Sequence, residues 1–213
     1  MPEPTEQELH QIIQRVLQRT LGGTPVTTKV PDTNAKDTTE SKPVQAAPAP
    51  ESKPVMTEGK KKMVAIGTDH GGLEMKESLK TYLSELGYAV TDCGTNSKDA
   101  VDYPDFALAV ACEVAGGKAW RGIVIDGAGI GSCMAANKVP GIRAAMAYDY
   151  SSAMNSREHN DANVLTLGAG LIGLNQARTI VKTWLSTDFL GGRHTRRVDK
   201  IVAIEKQYLK GEK

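Results

Sequence analysis

Cysteine is scarce in this chain. Its 213 residues hold three, Cys93, Cys112 and Cys133, an odd number at no metal-ligand spacing. That excludes a disulfide framework and a zinc ribbon, and it fits a reducing, cytoplasmic setting. Aromatic residues make up 5% of the chain, and none lies before Tyr82. Neither sign of charge dominates: Lys+Arg 26 against Asp+Glu 25 leaves a net +1. Nothing in that balance points to a nucleic-acid or anionic-membrane partner. No apolar run approaches the roughly 18–20 residues that span a bilayer. The N-terminus lacks a basic stretch followed by an apolar core, so no secretory signal is expected.

What is present falls into three regions. Residues 1–21 read as one amphipathic helix. Leu9, Ile12, Ile13, Val16 and Leu17 recur at i, i+3, i+4, i+7 and i+8, on one face. Thr5 with Glu8 forms a capping-box start, and Gly22-Gly23 a stop. Residues 22–62 hold six of the ten prolines and no aromatic residue. Such a segment cannot bury enough apolar surface to offset its ordering entropy, and it reads as a disordered Pro/Thr-rich linker. From Met63 to residue 213 the texture is globular.

There, strand-like and helix-like segments alternate. Strands are expected at Met63–Thr68, Tyr88–Asp92, Arg121–Asp126, Ile142–Ala147 and Val164–Leu167. Asp105–Ala115 reads as a nearly uncharged, well-buried helix, and the last helix as Thr195 to Leu209. Repeated strand–helix units imply an α/β fold: a mainly parallel five-stranded sheet in a Rossmann-like three-layer α/β/α sandwich. Ligands then sit at the carboxyl ends of strands.

The first strand ends in Thr68-Asp69-His70-Gly71-Gly72, either polar chemistry with close backbone approach or an Asp N-cap beside a surface His. The third ends in Asp126, followed by Gly127, Gly129 and Gly131 at alternate positions. Their N–H groups can converge on an anion, and a neighbouring carboxylate could then abstract a proton from carbon. The plainer alternative makes Asp126 a cap for the next helix. His159 lies in the polar run Arg157–Asn163, as a general acid–base or in a solvated loop. Arg193 and Arg197, four apart, are expected on one face of the last helix's first turn. There they oppose the helix dipole unless an anion, best a phosphate, sits against them.

Taken together, TDHGG (68–72), DYPDFA (102–107), DGAGIGSCMAANKVPGIRAA (126–145), REHNDANVLTLGAGLIG (157–173) and GGRHTRRVDKI (191–201) resemble the ribose-5-phosphate isomerase B family, related to galactose-6-phosphate isomerase. The resemblance runs from Met63 to about Tyr208. It implies an aldose–ketose isomerase of phosphorylated sugars, most readily ribose 5-phosphate to ribulose 5-phosphate, working through an enediolate without metal or cofactor. It implies a homodimer or tetramer with the site shared between subunits. It places Asp69, His70 and Tyr103 in the pocket and makes His159 the ring-opening group, with Asn160 beside it. Arg193 and Arg197 become phosphate ligands, and the amides of Gly127, Gly129 and Gly131 hold the enediolate.

Two departures stand out. Many members carry a catalytic Cys where this chain has Asp126, and another branch a Glu base where it has Ser132. Asp126 is the expected substitute base. Alternatives are a six-carbon sugar-phosphate isomerase and a non-catalytic sugar-phosphate-binding protein. The helix at residues 5–21 and its linker resemble the encapsulation peptides of bacterial microcompartments, which implies a shell or cargo protein as partner.

Overall fold

A computed structural model describes residues 61–208. The expected helix over 1–21 and nearly all of the 22–62 linker lie outside the described residues. The linker's last two residues do not: the Lys62 carbonyl accepts from Ala89 N at 3.1 Å, and its ammonium lies 4.0 Å over the Trp120 ring. The ordered fold therefore includes Lys62 as well as the Met63 strand.

The five strands are β1 (Met63–Thr68), β2 (Ala89–Asp92), β3 (Arg121–Asp126), β4 (Ala144–Met146) and β5 (Val164–Gly168), in the order β2-β1-β3-β5-β4. Every neighbouring pair is parallel. Four helices connect them, α1 (Leu73–Glu85), α2 (Tyr103–Ala115), α3 (Ile130–Ala136) and α4 (Tyr150–Glu158), and two follow β5, α5 (Leu174–Ser186) and α6 (Thr195–Tyr208). The chain leaves β1 toward one edge and resumes with β3 on β1's other side. That reversal opens a crevice at the carboxyl ends of β1 and β3.

Side-chain alternation divides the core. Val64, Ile66, Ile123, Ile125, Leu165 and Leu167 face one side and pack with Leu79, Leu83, Ile180 and Trp184. The other side carries Ala65, Val124 and Val164 against Ala107, Val110 and Ala111 of α2. That helix sits close because the sheet is glycine beneath it: a Cβ on Gly67 would come 2.7 Å from a Val110 methyl, and one on Gly122 2.6 Å.

Several boundaries shift from the sequence reading. Helix α2 begins at Tyr103, with Pro104 at its first turn, where the missing N–H costs nothing. It is also not buried all round. One side packs on the sheet, while Leu108 is 50% exposed and Cys112 faces out. β4 is three residues long: its register with β5 covers Ala144–Met146, and beyond it Ala147 N only donates to the Thr166 carbonyl at 3.2 Å. Arg121, buried between Trp120 and Trp184, donates to the carbonyls of Trp184, Leu185 and Thr187 and so caps α5. Burial lowers its pKa to about 10.

Candidate active site

The first half-site is the crevice itself. Parallel pairing sets Thr68 opposite Ile125, so Asp69 and Asp126 leave neighbouring strands side by side. The Thr68 hydroxyl donates to the Ile125 carbonyl at 2.8 Å and ties the two strand ends together. Asp69 is buried, with 8% exposed, and its Oδ1 accepts from Gly71 N at 2.9 Å. His70 is exposed, and its Nδ1 accepts from Val101 N at 3.2 Å. A nitrogen that accepts carries no proton, so the neutral ring holds its proton on Nε2, as a donor. A cleft of about 630 Å³ opens beside His70 and Gly71, toward Glu74, Lys98, Ala169 and Gly173.

Asp126 is held on every side. Oδ1 accepts from Ala128 N at 2.7 Å and from Gly129 N; Oδ2 accepts from Ser132 N at 3.0 Å and from the Ser132 hydroxyl. Burial alone would push this carboxyl up. The bonds from the Ser132 hydroxyl and from the Gly129, Ser132 and Ala128 amides outweigh it and hold the group below the usual carboxylate value. This is the capping geometry, and it bears on two expectations. A carboxylate with its acceptor positions filled is a poor proton acceptor, so the expected base role of Asp126 has no open lone pair. The Gly129 amide points at that carboxylate and not at an enediolate. Gly127 N, in contrast, donates to no group among the described residues.

The other glycines serve the loop's shape. Gly129 has φ +78, where an L side chain is strained, and a Cβ there would lie 2.9 Å from the Leu167 carbonyl carbon. Gly131 leaves room for the Tyr103 ring, which a Cβ would meet at 2.5 Å. Tyr103 is thereby brought against the loop.

The second half-site lies at the opposite, amino end of the strands. Helix α4 returns from the carboxyl end of β4 to the amino end of β5, so His159 and Asn160 sit just before Val164, which pairs with Gly122. Asp126 is level with Gly168, at the opposite end of the same strand. Four residue steps at about 3.3 Å each put roughly 13 Å of strand between the two sets. His159 stacks on His194, with centroids 4.1 Å apart and planes 4° from parallel. The Asn155 amide nitrogen lies 2.8 Å from His159 Nδ1 and donates to it, leaving the neutral ring's proton on Nε2. Leu190 N donates to the Glu158 carbonyl and brings the glycine-rich turn to this place.

Arg193 belongs to that turn (Gly192–His194) and precedes α6, while Arg197 is in the helix's first turn. Both are exposed, around a buried His194. His194 Nε2 lies 3.3 Å from Arg193 Nε, and its Nδ1 is buried without a partner among the described residues. Burial, helped by His159, Arg193 and Arg197, lowers the His194 pKa, against the opposing pull of Glu158. The polar run around His159 is only partly solvated. Arg143 and Arg157 clamp the Asp161 carboxylate at 2.8 and 2.9 Å, with Asp161 at φ 46.

Sequence reasoning gave no role to His194 or Asn155. Asn155 was within reach of it, since i,i+4 spacing puts it on the face of His159. The His194 stack joins positions 35 apart and leaves no local pattern.

Parallel strands, a crevice at the switch of strand order, and carboxylates with a glycine loop at its lip define a Rossmann-like α/β protein with a small-molecule site. Residues 64–201 match the model of the ribose/galactose isomerase family. The chain belongs to that family. It is similar to the Clostridium thermocellum ribose-5-phosphate isomerase B structure, with 53% identity and TM-score 0.68, over 68% of this chain and 99% of that one. It is 46% identical to Escherichia coli ribose-5-phosphate isomerase B, over 68% of this chain and 98% of the relative. A Mycoplasma genitalium ribose-5-phosphate isomerase B structure with bound ribulose 5-phosphate is 41% identical, with TM-score 0.66, over 68% of this chain and 97% of that one.

Proposed function

We propose that the chain interconverts an aldose phosphate and a ketose phosphate, ribose 5-phosphate and ribulose 5-phosphate, through an enediolate. The observation that carries this reading is likeness over nearly the full length of enzymes named for that reaction. Arg193 and Arg197 would hold the phosphate through planar guanidinium donors. His159, with its Nε2 proton, would pass a proton to the ring oxygen as the furanose opens. Asn160 would orient the sugar beside it. Asp69, His70, Tyr103 and Gly127 would surround carbons 1 and 2.

One ligand cannot touch both ends of the strands, so we read the site as completed by a second copy. Helix α6 supports this: Ile201, Ile204 and Tyr208 lie on one stripe and are 47%, 58% and 75% exposed. A homodimer is the smallest assembly that uses it, and a tetramer would be a pair of these. Residues 5–21 would dock on a microcompartment shell or cargo protein through their apolar face. Among the described residues no helix is long and apolar enough to cross a membrane.

The direct test is proton NMR of the protein with ribose 5-phosphate in D2O. Ribulose 5-phosphate should form while the C2 proton is lost. Binding with neither event would refute the pentose isomerase reading, and turnover of galactose 6-phosphate or allose 6-phosphate alone would move it to six-carbon substrates.

A further inference from the structure

We propose that Asp69, in place of Asp126, is the carboxylate that carries the proton between carbon 1 and carbon 2. This rests on the isomerase reading above. Such a base needs an oxygen that can approach a C–H bond, so the question is which carboxylate at the crevice has one.

Asp126 has none. Each carboxylate oxygen offers about two acceptor positions, and on Asp126 Ala128 N, Gly129 N, Ser132 N and the Ser132 hydroxyl take them. A proton could be accepted only by displacing a donor that shapes the loop.

Asp69 stands on the adjacent strand end, with the two backbones about 5 Å apart. Its Oδ1 accepts a single bond, from Gly71 N. Its Oδ2 accepts none among the described residues, and it is not sealed in the interior. The side chain is nonetheless only 8% exposed, so the open oxygen is held in place and largely shielded from water. The position is braced, because the single Thr68 hydroxyl proton is shared between the Ile125 and Asp69 carbonyls, at 2.8 and 3.0 Å.

Donors for a developing oxyanion are at hand. A Cβ on Gly71 would lie 3.3 Å from Asp69 Oδ1 and 3.8 Å from Gly127 N, which places the uncommitted Gly127 amide near this carboxylate. The His70 Nε2 proton belongs to the next residue.

The step balances without a co-reactant. Asp69 Oδ2 takes the proton from carbon 2 of the open-chain aldose. The C–H electron pair becomes the C1=C2 bond, and the carbonyl pair moves onto O1. The O2 proton passes to O1 and the carbonyl forms at carbon 2, while Asp69 returns its proton to carbon 1. Carbon 1 is reduced, carbon 2 is oxidised, and nothing else enters or leaves.

The test compares Asp69→Asn, Asp69→Ala and Asp126→Asn in the full chain, with ribose 5-phosphate in D2O. Asparagine keeps the acceptor for Gly71 N and removes only the basic oxygen. Asp69→Asn should lower kcat by about a thousand-fold with KM within a few-fold. Formate should restore part of the lost rate to Asp69→Ala. Asp126→Asn, corrected for the folded fraction from its thermal melt, should keep more than about a tenth of wild-type kcat, short of the 10²-fold or greater loss of a general base. The proposal is overturned if Asp126→Asn is folded and inert while Asp69→Asn turns over. It is overturned equally if Asp69→Asn changes KM alone, or if formate restores nothing. A wild-type protein that forms no ribulose 5-phosphate would instead sink the isomerase reading on which the proposal stands.

Discussion

The sharpest consequence of the fold is that two inactive proteins should make an active one. His159 and Asp69 lie beyond opposite ends of the parallel strands, whose stretch from Val164 to Gly168 alone is about 13 Å long, whereas a proton-transfer group must come within about 3 Å of its proton. Both can serve one sugar only if each comes from a different subunit. Asp69→Asn then removes one half of a site and His159→Asn the other half. Mix the two variants, unfold and refold them together, and pairing is random. Half of the dimers are mixed, and each mixed dimer has one site with both mutations and one with neither. Recovered activity should be about a quarter of wild type, from parents that are each nearly inert. The assay is ribulose 5-phosphate formation per folded subunit, before and after mixing. Recovery that stays at the level of the parents would show that each site is built within one chain, and the composite-site argument would fall.

Two further outcomes follow from the loop at the end of β3. Gly129→Ala combines a left-handed backbone with a contact 2.9 Å from the Leu167 carbonyl carbon. It should cost about 3 kcal/mol, a fall of roughly 6–12 °C in Tm for a domain of this size, and an unchanged calorimetric Tm would refute it. The Asp126 carboxyl is lowered by its donors once folded, so the unfolded chain, near pKa 3.9, binds that proton more readily. Its contribution to stability is therefore complete above about pH 5 and is lost as pH falls through the folded value. The gap in urea midpoint between wild type and Asp126→Asn should narrow below about pH 4. A gap constant down to pH 3 would refute this.

The sheet was readable because its signals are local. MVAIGT and RGIVID are apolar runs bounded by polar residues, and β1 and β3 occupy those residues. β4 was over-read because hydrophobic pattern does not reveal where ladder pairing stops. The open side of α2 was missed for a related reason: Leu108 is apolar, yet the sheet covers only one side of its helix. The strand-end rule found the residues around the crevice, but no spacing says that α4 carries His159 to the strands' amino end, which follows from parallel pairing of β4 with β5. The bond count on Asp126 was equally hidden, because it depends on φ at Gly129 and on the turn of α3 that brings Ser132 back.

That bond count explains how a carboxylate can stand where the family resemblance implies a thiol. Helix α3 is seven residues long, and its own N-cap, Gly129, has no side chain to satisfy the first amides. Asp126, three residues earlier on the rigid end of β3, supplies both oxygens instead. The loop then needs no external anion to keep its shape, and its conformation is set before substrate arrives. A thiol, a weak acceptor, could not bind four donors in this way and would leave them open to a ligand. Exchanging thiol for carboxylate therefore trades a reactive group for a structural one. It leaves the adjacent strand end, where Asp69 has a vacant oxygen, as the place where the proton can move.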